Sequence, residues 1–297
     1  MPHFYLKFLI NLILLNLFPL LIKSDLCKFP TAKGNQTVDE TIPLNKDKDF
    51  GFIRLIASPK LGSCTIDFSK KMSPILWLSD GVTVSNLIIG TESSSGIWCS
   101  GSCTLKNVAQ VFDNQCNLLL DCILRIAHII TSYHWDLTLL VHFERVCTHA
   151  AAFNATTDFT KTDRRSFTYT SGPGKTIINN FCGDGFQKVW RSCGTCNDEV
   201  SQNSKQRTVT ITNSNFTGKG HVIASGNAPY KDKVSFNNVK IFGYKNRSTR
   251  VVYACGEVKP EVSEDHLNTG ASNWYIPGRA GTGTVCNYPA SAVKIVN

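Results

Sequence analysis

The sequence predicts an all-β protein built as a parallel β-helix, and two observations support this. The first is a repeated motif in which an apolar residue, any residue and an asparagine are usually followed by a second apolar residue. It occurs at residues 84–87, 105–108, 178–181 and 236–239, with a weaker copy at 211–214. The second is the spacing: Asn86 and Asn107 are 21 residues apart, and Asn213 and Asn238 are 25 apart. Repeats of roughly 20 to 50 residues are typical of stacked coils. An ordinary β-sandwich with incidental asparagines is the alternative.

The functional prediction depends most on residues 172–196, which contain a turn signal, a strand pattern and two closely spaced basic residues. This stretch opens with Gly172-Pro-Gly174, a turn signal, because glycine accepts positive φ and proline presets φ near −65°. Ile177, Ile178 and Phe181 then alternate with polar residues. Because successive strand side chains point to opposite faces, one face of this segment is expected to be buried.

Two cations follow in the same stretch. Lys188 and Arg191 flank Trp190, and Cys193 and Cys196 come just after them. Fixed positive charges held beside a crosslink indicate a surface that receives negatively charged groups. Their alternative interpretation is a solvated basic edge. A zinc site at Cys193 and Cys196 is disfavoured, because no second cysteine pair has suitable spacing.

The first residues have the layout of a secretory signal peptide, which we place at residues 1–24. Lys7 precedes an apolar run at residues 8–22, and Lys23-Ser24 then meets the polar Asp25. This apolar run is too short for a comfortable membrane span, although a retained anchor is the alternative. Residues 25–297 are expected to form one secreted, extracellular domain without stable membrane association.

Composition agrees with secretion. The chain has 12 cysteines, which in an oxidising compartment indicate disulfides. Glycosylation triplets begin at Asn35, Asn154, Asn215 and Asn246. The net charge is +9, or +7 without two lysines in residues 1–24. A basic secreted protein meets acidic polysaccharides or membrane surfaces before nucleic acids, and no nucleic-acid-binding module is recognisable.

Taken in order, the mature chain begins with mixed signals at residues 25–60, which predict a capping segment and a loop. Apolar alternation at residues 75–90 predicts a coil. Cys99 and Cys103 follow. They are close enough in sequence to pair with each other, and the alternative is that each pairs with a cysteine elsewhere.

Residues 109–142 interrupt the repeat. Leu119, Ile123, Ile126 and Ile130 fall on one helical face, which predicts a helical or irregular insertion into the solenoid. The alternative is a stretch that does not belong to the functional protein. The coil pattern returns at residues 143–153.

The remaining chain continues the stack. Strands are predicted at residues 208–211 and 234–239, and a long polar, glycine-rich loop at residues 259–284. Cys286 is expected to tie down the C-terminal tail.

Several of these motifs resemble the class III pectate lyases, polysaccharide lyase family 3. Lys188-Val-Trp-Arg-Ser-Cys-Gly-Thr-Cys196 is similar to the family's Lys-Leu-Tyr-Arg-Ser-Cys-Gly-Asn-Cys. Phe143-Glu-Arg-Val-Cys-Thr-His-Ala150 resembles its aromatic-Glu-Asp-Val-Cys-Glu-Asp-Ala motif. The run from Gly96-Ile-Trp-Cys99 to Gly101-Ser-Cys103 resembles its Gly-Ile-His-Cys coil, and Cys27-Lys-Phe-Pro30 its mature start.

The resemblance implies a right-handed, single-stranded parallel β-helix that is secreted and cleaves polygalacturonate by calcium-assisted β-elimination. It implies that Lys188 and Arg191 clamp substrate and stabilise charge. Arg165 stands where the family usually has a lysine thought to act as the base, and arginine is a poor base at neutral pH. Pectate is the implied partner of a monomeric enzyme that degrades pectin.

The resemblance also implies a calcium site, and here the chain departs from the family. Ser95, Thr148 and His149 occupy positions where the family has carboxylates, and only Glu144 remains. Hard cations prefer charged oxygen ligands, so these replacements remove most of the expected affinity. Two hypotheses follow: an active lyase, and a catalytically silent relative that only binds acidic polysaccharide.

The residues suggest two other kinds of site. His149 beside Cys147 suggests a thiol nucleophile, but a bridged cysteine and an unrelated histidine are the favoured explanation of the pair. A hydrolase would need paired carboxylates, and Asp184 is the only acidic residue near Lys188 in sequence. The candidates for disulfides are Cys99, Cys103, Cys147, Cys193 and Cys196.

Overall fold

A computed structural model of the chain describes residues 29–62, 73–90, 96–111, 166–193, 206–247, 250–258 and 271–296. Apart from a short helix, α1 (Pro59–Gly62), and 3-10 turns at Ala228–Tyr230 and Ala290–Ala292, the regular structure of this part is β. The strands are β1 (Gly34–Val38), β2 (Ile42–Leu44), β3 (Lys48–Ala57), β4 (Leu76–Leu78), β5 (Val82–Ile89), β6 (Ile97–Cys99), β7 (Cys103–Val111), β8 (Ser166–Thr170), β9 (Gly174–Ser192), β10 (Arg207–Thr212), β11 (Asn215–Asn227), β12 (Lys233–Asn237), β13 (Val239–Phe242), β14 (Val251–Val258), β15 (Ala271–Tyr275), β16 (Gly281–Thr282), β17 (Asn287–Tyr288) and β18 (Val293–Val296). No helix within these ranges has the length and apolarity needed to cross a membrane.

The long strand β9 shows how one coil is built. Its first segment, residues 174–179, pairs with β7 and β10, and residues 181–184 pair with β7 and β11. Residues 188–192 pair with β8 and with the second half of β11. All of these pairings are parallel, so one strand contributes in turn to three faces of a stack. The predicted all-β parallel β-helix is confirmed.

We number the three faces in the order in which β9 crosses them. Sheet 1 contains the first segments of β3, β5, β7 and β9, then β10 and β12. Sheet 2 contains β1, the later segments of β3, β5 and β7, the middle of β9, the start of β11, and β13 and β18. Sheet 3 contains β2, β4, β6, β8, the ends of β9 and β11, and β14.

The repeated asparagines turn the chain from sheet 1 to sheet 2. Five of them have left-handed backbones with φ between 51° and 55°: Asn86, Asn107, Asn180, Asn213 and Asn238. Asparagine tolerates this conformation better than most residues. The side-chain amide of Asn107 donates to Asn86 (2.8 Å) and that of Asn180 donates to Asn107 (2.8 Å). The side chains of Asn86, Asn107 and Asn180 therefore stack on one another at these corners.

The interior is mainly apolar, and one cluster of buried apolar side chains extends along the stack. A row of aromatic rings joins successive coils, with centroids 4.9 Å apart for Phe167 and Phe181 and 5.8 Å apart for Phe181 and Phe216. Of the cysteines left open by the sequence, Cys99 pairs with Cys103. Cys286 pairs with Cys255 and so ties the C-terminal segment to the stack, as expected.

Three sequence predictions about local structure need correction. Much of residues 25–60 is not a capping segment and loop, because β1, β2 and β3 already form a coil there. The prediction of a long loop at residues 259–284 is wrong for residues 271–275, because Ala271–Tyr275 forms β15, antiparallel to β14. The interruption cannot begin at residue 109, because β7 extends to Val111. The remainder of residues 109–142 lies outside the described residues, as does the signal segment at 1–24.

Candidate active site

Lys188 and Arg191 lie on the outer face of sheet 3, near the end of β9. Between them, Val189 and Trp190 both belong to the hydrophobic core. Two consecutive inward residues break the normal alternation of a strand, so the residues before and after them both face outward. The sheet corner thus brings together two cations that an ideal strand would place on opposite faces.

The neighbouring coils show the same pattern. In the register of sheet 3, Val222 of β11 pairs with Lys188 on one side and with Tyr253 on the other. Ser225 pairs in the same way with Arg191 and Gly256. The indole of Trp274 stacks on Tyr253 at a centroid distance of 4.8 Å, and a Cβ added to Gly256 would overlap the same ring. Tyr253 and Gly256 are therefore on one side of the sheet, and the register places both cations on that side too.

Both cations are largely removed from water. The exposed fraction of Lys188 is 3% and that of Arg191 is 8%. Burial lowers the pKa of Lys188 well below its ordinary value, and the charge of Arg191 lowers it further. Burial raises the free energy of a charged amine, and pKa values perturbed in this way cluster at functional sites.

The strand that carries the pair is anchored from inside the solenoid. The indole N–H of Trp190 donates to the hydroxyl oxygens of Thr170 (3.0 Å) and Thr176 (3.3 Å). These contacts fix the strand between Lys188 and Arg191, and so limit how far the two cations can move apart.

A buried polar network holds the chain immediately after Arg191. The Ser192 hydroxyl donates to the carboxylate of Asp232, which also accepts the backbone N–H groups of Arg207 (2.8 Å) and Asn227 (2.7 Å). Burial raises the pKa of Asp232, although these hydrogen bonds oppose the shift. The Arg207 guanidinium donates to the carbonyl oxygen of Ser171 at 3.1 Å.

A column of aromatic side chains leads to Arg191 along sheet 3, and sequence analysis missed it. Trp77 pairs with Trp98, Trp98 with Tyr169, and Tyr169 with Arg191. Burial raises the pKa of Tyr169, while Arg191 and Arg207 act in the opposite direction. The sequence held no regular signal for this column, because irregular numbers of residues separate its members.

Other predicted site residues lie outside the described residues: Arg165, Glu144, Ser95, Thr148, His149, Cys147 and Cys196. Ser166, the first described residue after Arg165, pairs with Lys188. Cys193 is disulfide-bonded, which agrees with a crosslink just after the cationic pair.

The residues implied for calcium do not fit that ion. Their donor set is one carboxylate, two hydroxyls and an imidazole, whereas calcium prefers several charged oxygen ligands. In the described part of the chain, no group of three or more His, Cys, Asp or Glu side chains could hold a metal ion.

Comparison with known proteins decides the family. The sequence profile of the pectate lyase family matches residues 27–119 and 137–255, which include both cations and most of the solenoid. The chain belongs to the pectate lyase family. The gap in the match, residues 120–136, falls inside the stretch at 109–142 where the repeat is interrupted.

Several fungal members of the pectate lyase family are similar to the chain along much of its length. Pectate lyase H of Emericella nidulans is 22% identical over 83% of this chain and 82% of its own. Probable pectate lyase D of Neosartorya fischeri is 25% identical over 84% and 88%. Probable pectate lyase E of Aspergillus fumigatus is 26% identical over 54% of this chain, and that match spans 51% of the relative's length.

Solved pectate lyase structures also resemble the chain. One from Pectobacterium carotovorum superposes with a TM-score of 0.48 at 21% identity, over 87% of this chain and 68% of that one. The catalytic domain of pectate lyase PelI from Erwinia chrysanthemi gives 0.45 at 18% identity, over 88% and 100%.

Proposed function

We propose that this chain is a secreted pectate lyase that cleaves polygalacturonate by β-elimination. Membership of the pectate lyase family supports the reaction class. The observation that carries the proposal is the shared outer face of Lys188 and Arg191, two buried basic side chains on one strand with only Val189 and Trp190 between them. Such a pair suits the carboxylate of a galacturonate unit.

The chemistry explains why cations are needed. Elimination removes the proton at C5, breaks the bond between C4 and its glycosidic oxygen, and forms a double bond between C4 and C5. Negative charge develops beside the C6 carboxylate as the proton leaves. A cation held against that carboxylate stabilises the charge without reorganising during the reaction.

The two cations suit different roles in this scheme. Arg191 stays protonated at all ordinary pH values, so it can hold the carboxylate throughout the reaction. Lys188 has a lowered pKa, so its amine is neutral more often than that of an exposed lysine. Lys188 is therefore better suited than Arg165 to accept the C5 proton, and Arg165 is proposed as an additional substrate-binding cation.

Calcium is implied by the family and would supply further positive charge at the carboxylate when bound. Because Ser95, Thr148 and His149 are poor calcium ligands, no step of the proposed reaction is routed through this ion. Their chemistry also favours a second candidate function, a catalytically silent relative that only binds acidic polysaccharide.

One assay separates the two functions. The protein is mixed with polygalacturonate, with calcium or with a chelator, and the ultraviolet absorbance of the unsaturated product is followed. A rise in absorbance supports the lyase. No product in either condition, together with retention on a pectate column, supports the silent binder.

The proposed working form is an extracellular monomer. The signal-like segment at residues 1–24 supports secretion, and so do the disulfides Cys99–Cys103 and Cys255–Cys286. The proposed partner is pectate rather than nucleic acid or a membrane.

A further inference from the structure

The aromatic column on sheet 3 lies along one row of its strands. It consists of Trp77, Trp98 and Tyr169, one from each of three successive coils. The ring centroids are 5.8 Å apart for the two tryptophans and 5.3 Å apart for Trp98 and Tyr169. The fourth position of the same row is Arg191.

The outer end of the column is open to solvent. Trp77 is 47% exposed, an unusual degree for the largest apolar side chain, and Trp98 and Tyr169 are partly exposed. The indole N–H of Trp77 donates to the Ser100 hydroxyl at 2.7 Å, which holds the ring in one orientation. An exposed ring that is already oriented loses little conformational freedom when a ligand packs on it.

The opposite end of the row is closed. Beyond Arg191 come Ser225 and Gly256, and the Trp274 ring occupies the space above Gly256. Among the described residues, the outer face beyond Arg191 is therefore covered in one direction, and in the other direction it leads to Tyr169, Trp98 and Trp77. The distance from Arg191 to Trp77 is three strand spacings, or about 14 Å, which is long enough for several linked sugar rings.

We propose that Trp77, Trp98 and Tyr169 form a row of stacking subsites for the sugar rings of the acidic polysaccharide whose carboxylate Arg191 binds. The apolar C–H face of a pyranose ring packs on an aromatic ring, while its hydroxyls and carboxylate remain in water. The row binds polymer beyond the bond that is cleaved. This inference rests on the proposed function, because the polymer is the same.

The alternative is that the column only stabilises the stack, since aromatic pairs on adjacent strands also strengthen a sheet. The two differ in what a substitution changes. Loss of a structural ring lowers stability and leaves ligand binding alone, whereas loss of a subsite weakens only ligands long enough to reach it.

The test is calorimetric binding of trigalacturonate and decagalacturonate to the full chain and to Trp77→Ala, Trp77→Phe and Ile276→Ala. Ile276 is the matched control, because it is 43% exposed and lies outside the column. We expect Trp77→Ala to weaken decagalacturonate binding roughly 5-fold and to leave trigalacturonate binding unchanged. Trp77→Phe should keep most of the affinity for decagalacturonate, and Ile276→Ala should bind both ligands as the unchanged protein does.

The outcomes separate this inference from the proposed function. If the unchanged protein cleaves polygalacturonate, and Trp77→Ala binds both ligands normally while melting at a lower temperature, the column is structural and the inference is wrong. If both ligands are weakened equally, the column is not a set of remote subsites, and the inference is also wrong. If the unchanged protein neither binds nor cleaves galacturonates, the proposed function fails, and the inference fails with it.

Discussion

Lys188 and Arg191 face the same side of sheet 3, although residues at i and i+3 of an ideal strand point to opposite faces. The relationship depends on Val189 and Trp190, which both point into the core at the corner. Trp190 is tied there by hydrogen bonds to two buried threonines. The core of the solenoid thus sets the arrangement of the charges on its surface.

The first prediction concerns turnover. Lys188→Ala and Arg191→Ala should each lower kcat by roughly 10²-fold, because the first removes the amine that accepts the C5 proton and the second removes the positive charge held at the carboxylate. Initial rates of unsaturated product on polygalacturonate provide the measurement. Lys106→Ala is the control, since Lys106 is an exposed lysine on sheet 1. Equal loss in all three variants would mean that general charge, rather than this pair, matters.

The second prediction concerns pH. If Lys188 accepts the C5 proton, kcat should rise with pH as its amine is deprotonated, with a midpoint below the ordinary lysine value of about 10.4. Lys188→Arg should abolish this rise, because arginine stays protonated. A profile of kcat against pH for both proteins tests this. An unchanged profile in Lys188→Arg would exclude Lys188 as the base.

The third prediction concerns stability. The pKa of Lys188 is lower in the folded chain than in the unfolded chain, so the unfolded state binds more protons between those two values. Stability should therefore rise with pH through that window. Lys188→Met should flatten the rise and increase the melting temperature at neutral pH, by roughly 2–4 °C for each kcal/mol gained. Thermal unfolding followed at several pH values is the measurement, and a lower melting temperature in Lys188→Met would contradict the prediction.

The fourth prediction concerns the asparagine corners. Asn107 has a φ of 53° and joins Asn86 to Asn180 through two side-chain hydrogen bonds. Asn107→Ala should destabilise the fold by about 2–4 kcal/mol, from the left-handed backbone and the lost bonds together. Asn107→Gly, which relieves only the backbone cost, should destabilise it less. Urea unfolding of the two variants measures both contributions, and equal losses would argue against a backbone term.

The asparagines also show what the sequence could predict and what it could not. Their corners recur with a detectable motif, so the stack was predictable. The first coil lacks this motif, because its corner is formed by Gly51 and Phe52, which have positive φ in place of an asparagine. There Asn86 donates to the Asp49 carboxylate instead.

The site was only partly predictable for a different reason. Lys188 and Arg191 are close in sequence, so a motif could find them. Trp77 and Tyr169 come together only through the register of successive coils, and coils of unequal length hide that register. Trp98 and Tyr169, for example, are far apart in sequence but lie on neighbouring strands.

The central claim, that buried cations of sheet 3 hold the acid groups of a sugar polymer, is tested most directly by one binding comparison. The dissociation constants of polygalacturonate and fully methyl-esterified pectin are measured for the unchanged protein and for Arg191→Ala. The account predicts that the unchanged protein prefers the acidic polymer and that Arg191→Ala loses most of this preference. Equal affinity of the unchanged protein for the two polymers would contradict it.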